Sequence, residues 1–232
     1  MKSESALHTK ISSAVADGGF QTGKILALSV AHFIHDVYSS FLAPILPLLI
    51  DKLGMSYLTV GMISVVQRIP SLFNPFVGLI ADKMSVRYFL IIAPAITTVA
   101  MSLLGLAPNV IILTILLFVM GISSTLFHVP APVFIKSLAG DTIGRGMSFY
   151  MLGGEFARTV APLVILGAVS LWGLEGSYRL MPFGVLASIV LYFRFHNITV
   201  DVNRKNSNTD QKGIPRELWT FFLILLMFTF FR

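Results

Sequence analysis

The chain has 232 residues, of which 55% are hydrophobic and 12% charged, and its mean hydropathy is +0.82. An ordinary soluble domain carries roughly twice that share of charge, so the composition excludes a typical soluble protein and predicts lipid as the main solvent. The net charge of +6 does not indicate nucleic-acid binding, because the basic residues are scattered between apolar runs. The absence of cysteine excludes disulfides and thiolate metal sites.

The first elements in chain order are a polar segment and a series of apolar runs. Residues 1–23 are polar, and the run that follows is too long for a cleaved signal peptide, so it is expected to remain as a membrane helix. A span needs about 20 mostly apolar residues. Six segments qualify: 25–50, 57–81, 88–107, 109–135, 147–171 and 178–195. Because the breaks between them are short, they predict an all-α membrane lobe of six antiparallel helices over residues 24–195.

The rest of the chain is predicted to be a linker and an incomplete seventh helix. Residues 196–216 are polar and lack apolar periodicity, which is typical of a flexible linker. The apolar run from Leu218 to Phe231 has 14 residues, too few to cross a bilayer. Residues 217–232 are therefore expected to be the truncated start of a seventh helix, and the chain to be a half-length product.

The distribution of Lys and Arg predicts the orientation. If the N-terminus is cytoplasmic, the opposite side of the membrane carries only Lys52 and Arg179, while the other loop and terminal cations lie on the cytoplasmic side. Cytoplasmic loops carry the excess of Lys and Arg. We therefore expect a multi-pass protein of the cell membrane with a cytoplasmic N-terminus, loop 82–87 and linker.

Charged and histidine residues inside the first two apolar segments mark a candidate pathway. His32, His35 and Asp36 are spaced to share one helix face, and Ser39 extends it. Asp36 and Arg68 lie at similar depth, about 18 Å and 21 Å of helix rise from the same side. Their depths would allow the two side chains to form an ion pair. It could be a static brace, or a switch that breaks when Asp36 takes a proton, and intramembrane ionisable groups usually serve ion or substrate pathways.

The fourth and fifth segments offer a second polar set. Glu155 and Arg158 are three residues apart and can pair within their own helix, either for function or as a self-neutralising structural pair. His128 lies at a depth from which it could meet Glu155.

No metal site is predicted, because His32, His35 and Asp36 lack a defined fourth ligand. No cofactor motif appears, and no nucleophile with a base and an oxyanion hole indicates an enzyme.

A weak internal repeat relates the first three helices to the next three. The first and fourth segments each carry a proline pair, and the second and fifth each place an arginine shortly before a proline. These positions are Pro44 with Pro47, Pro130 with Pro132, Arg68 with Pro70, and Arg158 with Pro162. Three helices followed by three matching ones is a pattern of secondary transporters.

Two sets of motifs resemble one known family. The stretch GLIADKMSVR resembles the loop signature of the major facilitator superfamily, with Gly78, Asp82, Lys83 and Arg87 matching and Ser85 and Val86 departing from it. The stretches HFIHDVYSSFLAPILPLL, GISSTLFHVPAP and GGEFARTVAPLV resemble the fosmidomycin-resistance branch of that superfamily. Ala161-Pro162 stands where the antiporter signature of the fifth helix has Gly-Pro.

The resemblance implies a proton-coupled exporter of a drug or another small molecule, here represented by its N-terminal lobe. It makes Asp36 the candidate proton carrier. Residues that would take part in proton coupling or line the cavity are His32, His35, Ser39, Gln67, Arg68, His128, Glu155 and Arg158. The implied partners are the lipid bilayer, protons and a small-molecule substrate, with a C-terminal lobe or a second copy of the chain supplying the other wall.

Two other classes of function stay open at this stage. The alternative to a transporter is a truncated or split lobe that does not transport and acts only as an assembly partner. An intramembrane enzyme is a third class, which we weigh least because the sequence offers no catalytic constellation.

Overall fold

The structure, a computed structural model, describes residues 20–81, residues 87–196 and Thr220. The predicted N-terminal segment up to residue 19, Asp82 and Lys83 of the loop, the linker from residue 197 and the seventh helix apart from Thr220 lie outside the described residues. The chain divides into a unit over Met1–Asp201 and a small unit over Val202–Arg232. The first unit holds all the elements that follow.

The described part of the first unit is helical. Its α-helices are α1 (Thr22–Ser39), α2 (Leu42–Leu53), α3 (Tyr57–Arg68), α4 (Asn74–Ala81), α5 (Arg87–Ser102), α6 (Val110–His128), α7 (Ala131–Ala139), α8 (Ile143–Trp172) and α9 (Met181–Phe195). Short 3₁₀ segments span Ile69–Phe73, Leu104–Leu106 and Glu175–Leu180.

Five helical stretches of the described residues are long and apolar enough to cross a membrane. They are Thr22–Leu53, Arg87–Leu106, Val110–Ala139, Ile143–Trp172 and Glu175–Phe195. The predicted all-α membrane architecture agrees with them, whereas the predicted count of six does not, since the segment 57–81 is not among them. A 3₁₀ turn divides that segment into α3 and α4, and Gln67, Arg68 and Asn74 lower its apolar character.

The first and fourth predicted spans break at matching places, as the sequence repeat would require. Ser40 and Phe41 separate α1 from α2, and Val129 and Pro130 separate α6 from α7. Proline interrupts a helix because it lacks an N–H donor, and it is tolerated in the first turn of the next one. The second and fifth spans do not match in this way, since α8 continues unbroken through Pro162.

Helix α1 lies at the centre of the lobe, packed against α8 along much of its length and against α5 and α9 on other faces. Two glycines of α8 allow this close approach. A Cβ on Gly153 would collide with the carbonyl oxygen of Ser29, and one on Gly154 would lie 2.5 Å from the His32 ring. Small residues let membrane helices approach closely without unfilled space between them.

Two apolar clusters of buried residues occupy different stretches of α1 and its neighbours. One includes Ile25, Leu28 and Ala31, and the other begins at Val37 and continues through Phe41. Between them along α1 lie His32, His35 and Asp36, all buried. The sequence therefore places a polar layer inside the lobe, and a buried polar layer is stable only when its groups are paired.

The end of the lobe near Lys52 is tied together by polar contacts between segments distant in sequence. Lys52 Nζ donates to the carbonyl oxygen of Gly105 at 2.6 Å and to Glu175 Oε1 at 2.8 Å. The hydroxyl of Tyr38 donates to the carbonyl oxygen of Leu180 at 2.5 Å. These contacts connect α1 and α2 to the turns that follow α5 and α8.

Candidate functional site

The Asp36 carboxylate is the centre of the buried polar layer. His35 Nδ1 lies 3.0 Å from Oδ1, and His32 Nε2 lies 3.3 Å from Oδ2. Both imidazoles come from α1 itself: His32 lies one turn before Asp36 on the same face, and His35 directly precedes Asp36 in the chain. The predicted polar stripe is present, and it faces the interior of the lobe.

His128 joins the cluster from the last residue of α6. Its Nε2 lies 3.2 Å from Asp36 Oδ1, and its side chain keeps 35% of its surface exposed. Its predicted approach to Glu155 is not found, since the contacts of His128 in the described structure are with Asp36, Tyr150 and nearby rings. The break between α6 and α7 lets the imidazole turn toward α1.

The hydrogen bond of His32 to α8 fixes its tautomer. His32 Nδ1 lies 2.7 Å from the carbonyl oxygen of Tyr150, which can only accept, so Nδ1 carries the proton. If the ring carries no second proton, the lone pair of Nε2 points toward Asp36. The Tyr150 ring stacks on the imidazole, with centroids 3.9 Å apart, and holds its orientation.

A chain of hydroxyls fixes the direction of the hydrogen bonds at His35 in the same way. Ser123 donates to the carbonyl oxygen of Ala93, and Thr97 donates to Ser123. Thr97 Oγ1 has then used its hydrogen and accepts from His35 Nε2 at 3.0 Å. The neutral ring would thus present a lone pair at Nδ1, although that atom is hydrogen-bonded to the Asp36 carboxylate. The bond needs one more proton, on His35 or on Asp36.

An exposed ion pair lies beside the buried cluster. Arg158 donates to Glu155 Oε1 at 2.6 Å, so the predicted pairing of these two α8 residues is present. A second guanidinium nitrogen of Arg158 lies 3.8 Å from Asp36 Oδ2. Glu155 and Arg158 are 61% and 58% exposed. Arg158 therefore connects the buried carboxylate to an open face of the lobe.

The ion pair between Asp36 and Arg68 that the sequence left open is not found among the described residues. Arg68 is exposed at the end of α3, and within the described residues the arginine within 4.0 Å of Asp36 is Arg158. Similar depth placed Asp36 and Arg68 at one level of the membrane, but depth does not determine rotation about the helix axis. The Asp36 side of α1 faces α8, which brings Arg158 to the carboxylate.

The other predicted site residues lie around this cluster or at the loop. The Ser39 hydroxyl donates to the backbone carbonyl of Asp36. Gln67 is half-buried, and its backbone carbonyl oxygen lies against Gly121. Gly78 of the loop motif lies close to Val129, and Arg87 stacks over the Tyr88 ring at 4.9 Å. None of these four residues has a side chain in contact with the Asp36 carboxylate within the part of the chain that the structure describes.

Three residues that the sequence interpretation missed belong to the site: Tyr150, Thr97 and Ser123. They are uncharged, so the search for intramembrane charges passed over them. One signal was available for Tyr150. It lies four residues before Gly154, and that spacing places both on the face of α8 that packs against α1.

The cluster includes donors of the kind that metal ions bind. One nitrogen each of His32 and His128 and one Asp36 oxygen all lie within 4.8 Å of one another. A groove of about 520 Å³ between α1 and α9 is lined by none of these residues and is largely apolar. The chemistry of the lobe is therefore concentrated at Asp36.

Comparison with known proteins places the chain in a family. Residues 28–232 match the family model of the Major Facilitator Superfamily. The chain therefore belongs to this superfamily.

The chain is also similar to three curated proteins. It is 26% identical to the fosmidomycin resistance protein of Escherichia coli over 170 residues, which are 73% of this chain and 42% of the relative. It is 24% identical to the MFS-type transporter YfnC of Bacillus subtilis over 82% of this chain and 46% of the relative. An MFS-type transporter of Methanocaldococcus jannaschii is 24% identical over 88% of this chain and 53% of the relative.

The first of these relatives confirms the predicted resemblance to the fosmidomycin-resistance branch. The chain spans about half the length of the curated relatives it matches.

Proposed function

We propose that this protein is the N-terminal lobe of a secondary active transporter that exchanges a small molecule for protons across the cell membrane. The observation that carries the proposal is the cluster of buried His32, His35 and Asp36 with partly exposed His128, reached from an exposed face through Arg158. Ionisable groups at membrane depth are costly, and they usually belong to ion or proton pathways. The proposal thus gives the polar layer of α1 a task in transport.

The hydrogen-bond directions support a proton at this cluster. His32 and His35 each commit the N–H of their neutral ring to a partner away from Asp36, namely the Tyr150 carbonyl and Thr97. The unprotonated nitrogen of each ring then lies against a carboxylate oxygen, so two sets of lone pairs repel each other. This repulsion is the opposition that a proton would remove. An added proton relieves that opposition, so a site that gains and loses one proton is consistent with the geometry.

Glu155, Arg158 and His128 would form part of one wall of the substrate cavity. Glu155 and Arg158 are exposed beside the cluster and His128 is partly exposed within it, so a bound molecule could meet both the ion pair and the proton site. Gln67 and Arg68 would extend the same wall. In this superfamily each half supplies one wall and the halves rock against each other. The opposite wall would come from a C-terminal lobe or from a second copy of the chain.

The test uses fosmidomycin as the probe, because one relative is named for resistance to it. We expect proton-driven fosmidomycin transport into everted vesicles when the chain is expressed with the second half of the Escherichia coli relative. We expect none from the 232-residue chain alone, because its charged wall is exposed and unopposed. Dye fluorescence that reports proton release on addition of fosmidomycin is the measurement.

Equal transport by the chain alone would contradict the two-wall proposal unless crosslinking detects a homodimer. If the chain were only an assembly partner with no transport role of its own, replacing Asp36 would leave fosmidomycin transport unchanged. That result would contradict the proposal.

The proposed orientation has a cytoplasmic N-terminus. The chain contains no cysteine, so single cysteines report accessibility without background. We expect a cysteine at Ser207 to be labelled only from the cytoplasmic side and one at Ser56, an exposed N-cap of α3, only from outside. Labelling is measured with an impermeant maleimide in intact cells and everted vesicles. The reverse pattern at both positions would overturn the orientation.

A further inference from the structure

We propose that His32, Asp36 and His128 form a binding site for one divalent transition-metal ion of the zinc type. The inference goes beyond the proposed function and does not depend on transport. It revises the sequence prediction of no metal site, which failed to find enough ligands because it considered α1 alone. The fold brings in His128 from α6 as a further ligand.

The spacing of the donor atoms fits a metal centre. Zinc binds imidazole nitrogen and carboxylate oxygen at about 2.0–2.2 Å in tetrahedral geometry, which separates neighbouring ligand atoms by about 3.4 Å. The two imidazole-to-carboxylate distances are 3.3 Å for His32 Nε2 to Oδ2 and 3.2 Å for His128 Nε2 to Oδ1. Each imidazole faces a different oxygen, so the carboxylate can bind through both. The three candidate ligand atoms all lie within 4.8 Å of one another, so the side chains would close around an ion to reach the tetrahedral spacing.

His32 provides a second and independent indication of a ligand. Its side chain is 96% buried, yet Nε2 has no hydrogen-bond partner although Asp36 is close. The proton on Nδ1 is committed to the Tyr150 carbonyl, so Nε2 offers its lone pair to the interior of the cluster. Histidines that bind metals usually donate their other ring N–H to a carbonyl or a carboxylate. His32 is therefore held in the tautomer and orientation of a metal ligand.

His128 provides the route of entry and has its own supporting contact. The side chain is partly exposed, so an ion can reach its Nε2 from the open face. Its Nδ1 lies 3.3 Å from the Tyr150 hydroxyl, which can accept the ring N–H once Nε2 binds an ion. Tyr150 thus supports both histidines, through its carbonyl and through its hydroxyl.

The charges around the site permit a cation. Arg158 lies 3.8 Å from Asp36, but its shorter contact, 2.6 Å, is with Glu155. The two α8 charges therefore compensate each other and leave the Asp36 carboxylate for the ion. The proton that the His35–Asp36 contact needs would be released when an ion binds the carboxylate. Arg158 is exposed and can turn toward solvent. Two imidazoles with one carboxylate favour Zn²⁺, Co²⁺ or Ni²⁺ over Mg²⁺ and Ca²⁺, which prefer oxygen ligands.

The test is titration calorimetry of the purified 232-residue chain in detergent, with ZnCl₂ as the probe and no histidine tag. We expect one Zn²⁺ per chain and no heat of binding with MgCl₂. His32→Ala and His128→Ala should each weaken Zn²⁺ binding by at least about tenfold, as loss of groups at a metal site does. His196→Ala is the matched control and should bind like the unmodified chain, because His196 lies at the end of α9 with contacts only to Tyr192 among the described residues.

Folding is checked by helix content and by size-exclusion elution of each variant. His128→Ala decides the result if His32→Ala fails to fold, because His128 is partly exposed and tolerates truncation better. Absence of Zn²⁺ binding by the unmodified chain would overturn the proposal. So would equal binding by folded His128→Ala, or equal loss in His196→Ala. Proton-driven fosmidomycin transport is measured separately, so failure of either proposal is recognised without reference to the other.

Discussion

Asp36→Asn is expected to abolish proton-driven transport while leaving the lobe folded. Asparagine has nearly the same shape, and its amide can donate to the His35 Nδ1 lone pair, so the contact at 3.0 Å survives without an added proton. What disappears is the carboxylate shared by three histidines and Arg158. In everted vesicles with the second lobe present, fosmidomycin should release no protons above the level of vesicles lacking the protein.

Asp51→Asn is the control for this experiment. Asp51 lies exposed near the end of α2, so its replacement should leave proton release unchanged. Expression of both variants is compared by quantitative blotting, and thermal unfolding in detergent verifies the fold. Normal proton release by Asp36→Asn would show that the carboxylate has a structural role and takes no part in proton coupling.

Arg158→Gln is expected to impair transport more than the double replacement of Arg158 and Glu155 by glutamine. The single change removes the guanidinium that pairs with Glu155 at 2.6 Å and lies 3.8 Å from Asp36, which leaves the Glu155 charge unpaired near Asp36. The double change also removes the Glu155 charge. Residues in one ion-pair network are coupled by 0.5–3 kcal/mol, so we expect about a tenfold loss of transport rate for Arg158→Gln and partial recovery in the double variant.

The measurement is the initial rate of fosmidomycin-dependent proton release at equal expression. Arg179→Gln is the matched control, since Arg179 is exposed and stacks over the Trp172 ring away from the cluster. If the double variant is impaired as much as Arg158→Gln or more, Glu155 and Arg158 do not act as a unit. If Arg158→Gln has no effect at all, the exposed pair takes no part in transport.

The sequence alone was sufficient for the class of protein, because that class depends on composition and local spacing. Apolar runs of membrane length predicted helices, and five of the six are present as candidate spans among the described residues. The three polar residues of α1 share a face because the helix has 3.6 residues per turn. The pairing of Glu155 with Arg158 follows from the same local geometry.

The partners of Asp36 depended on tertiary structure. Sequence distance gave the depth of Arg68 in the membrane, but only the packing of α1 on α8 decided that Arg158 reaches the carboxylate instead. That packing depends on Gly154, whose missing side chain leaves room for the His32 ring. Helix depth is fixed by counting residues, whereas helix rotation is fixed by which side chains fill the space between neighbours.

The uncharged members of the site also could not be identified from the sequence alone, because their role depends on contacts between helices. A threonine, a serine and a tyrosine in apolar helices are common and carry no signal of their own. Thr97 and Tyr150 matter only because α5 and α8 place them against His35 and His32, where they set the direction of each hydrogen bond. The sequence by itself determined that a charged, histidine-rich helix crosses the membrane. The tertiary structure decided which atoms of its neighbours face that charge, because such contacts join residues far apart along the chain.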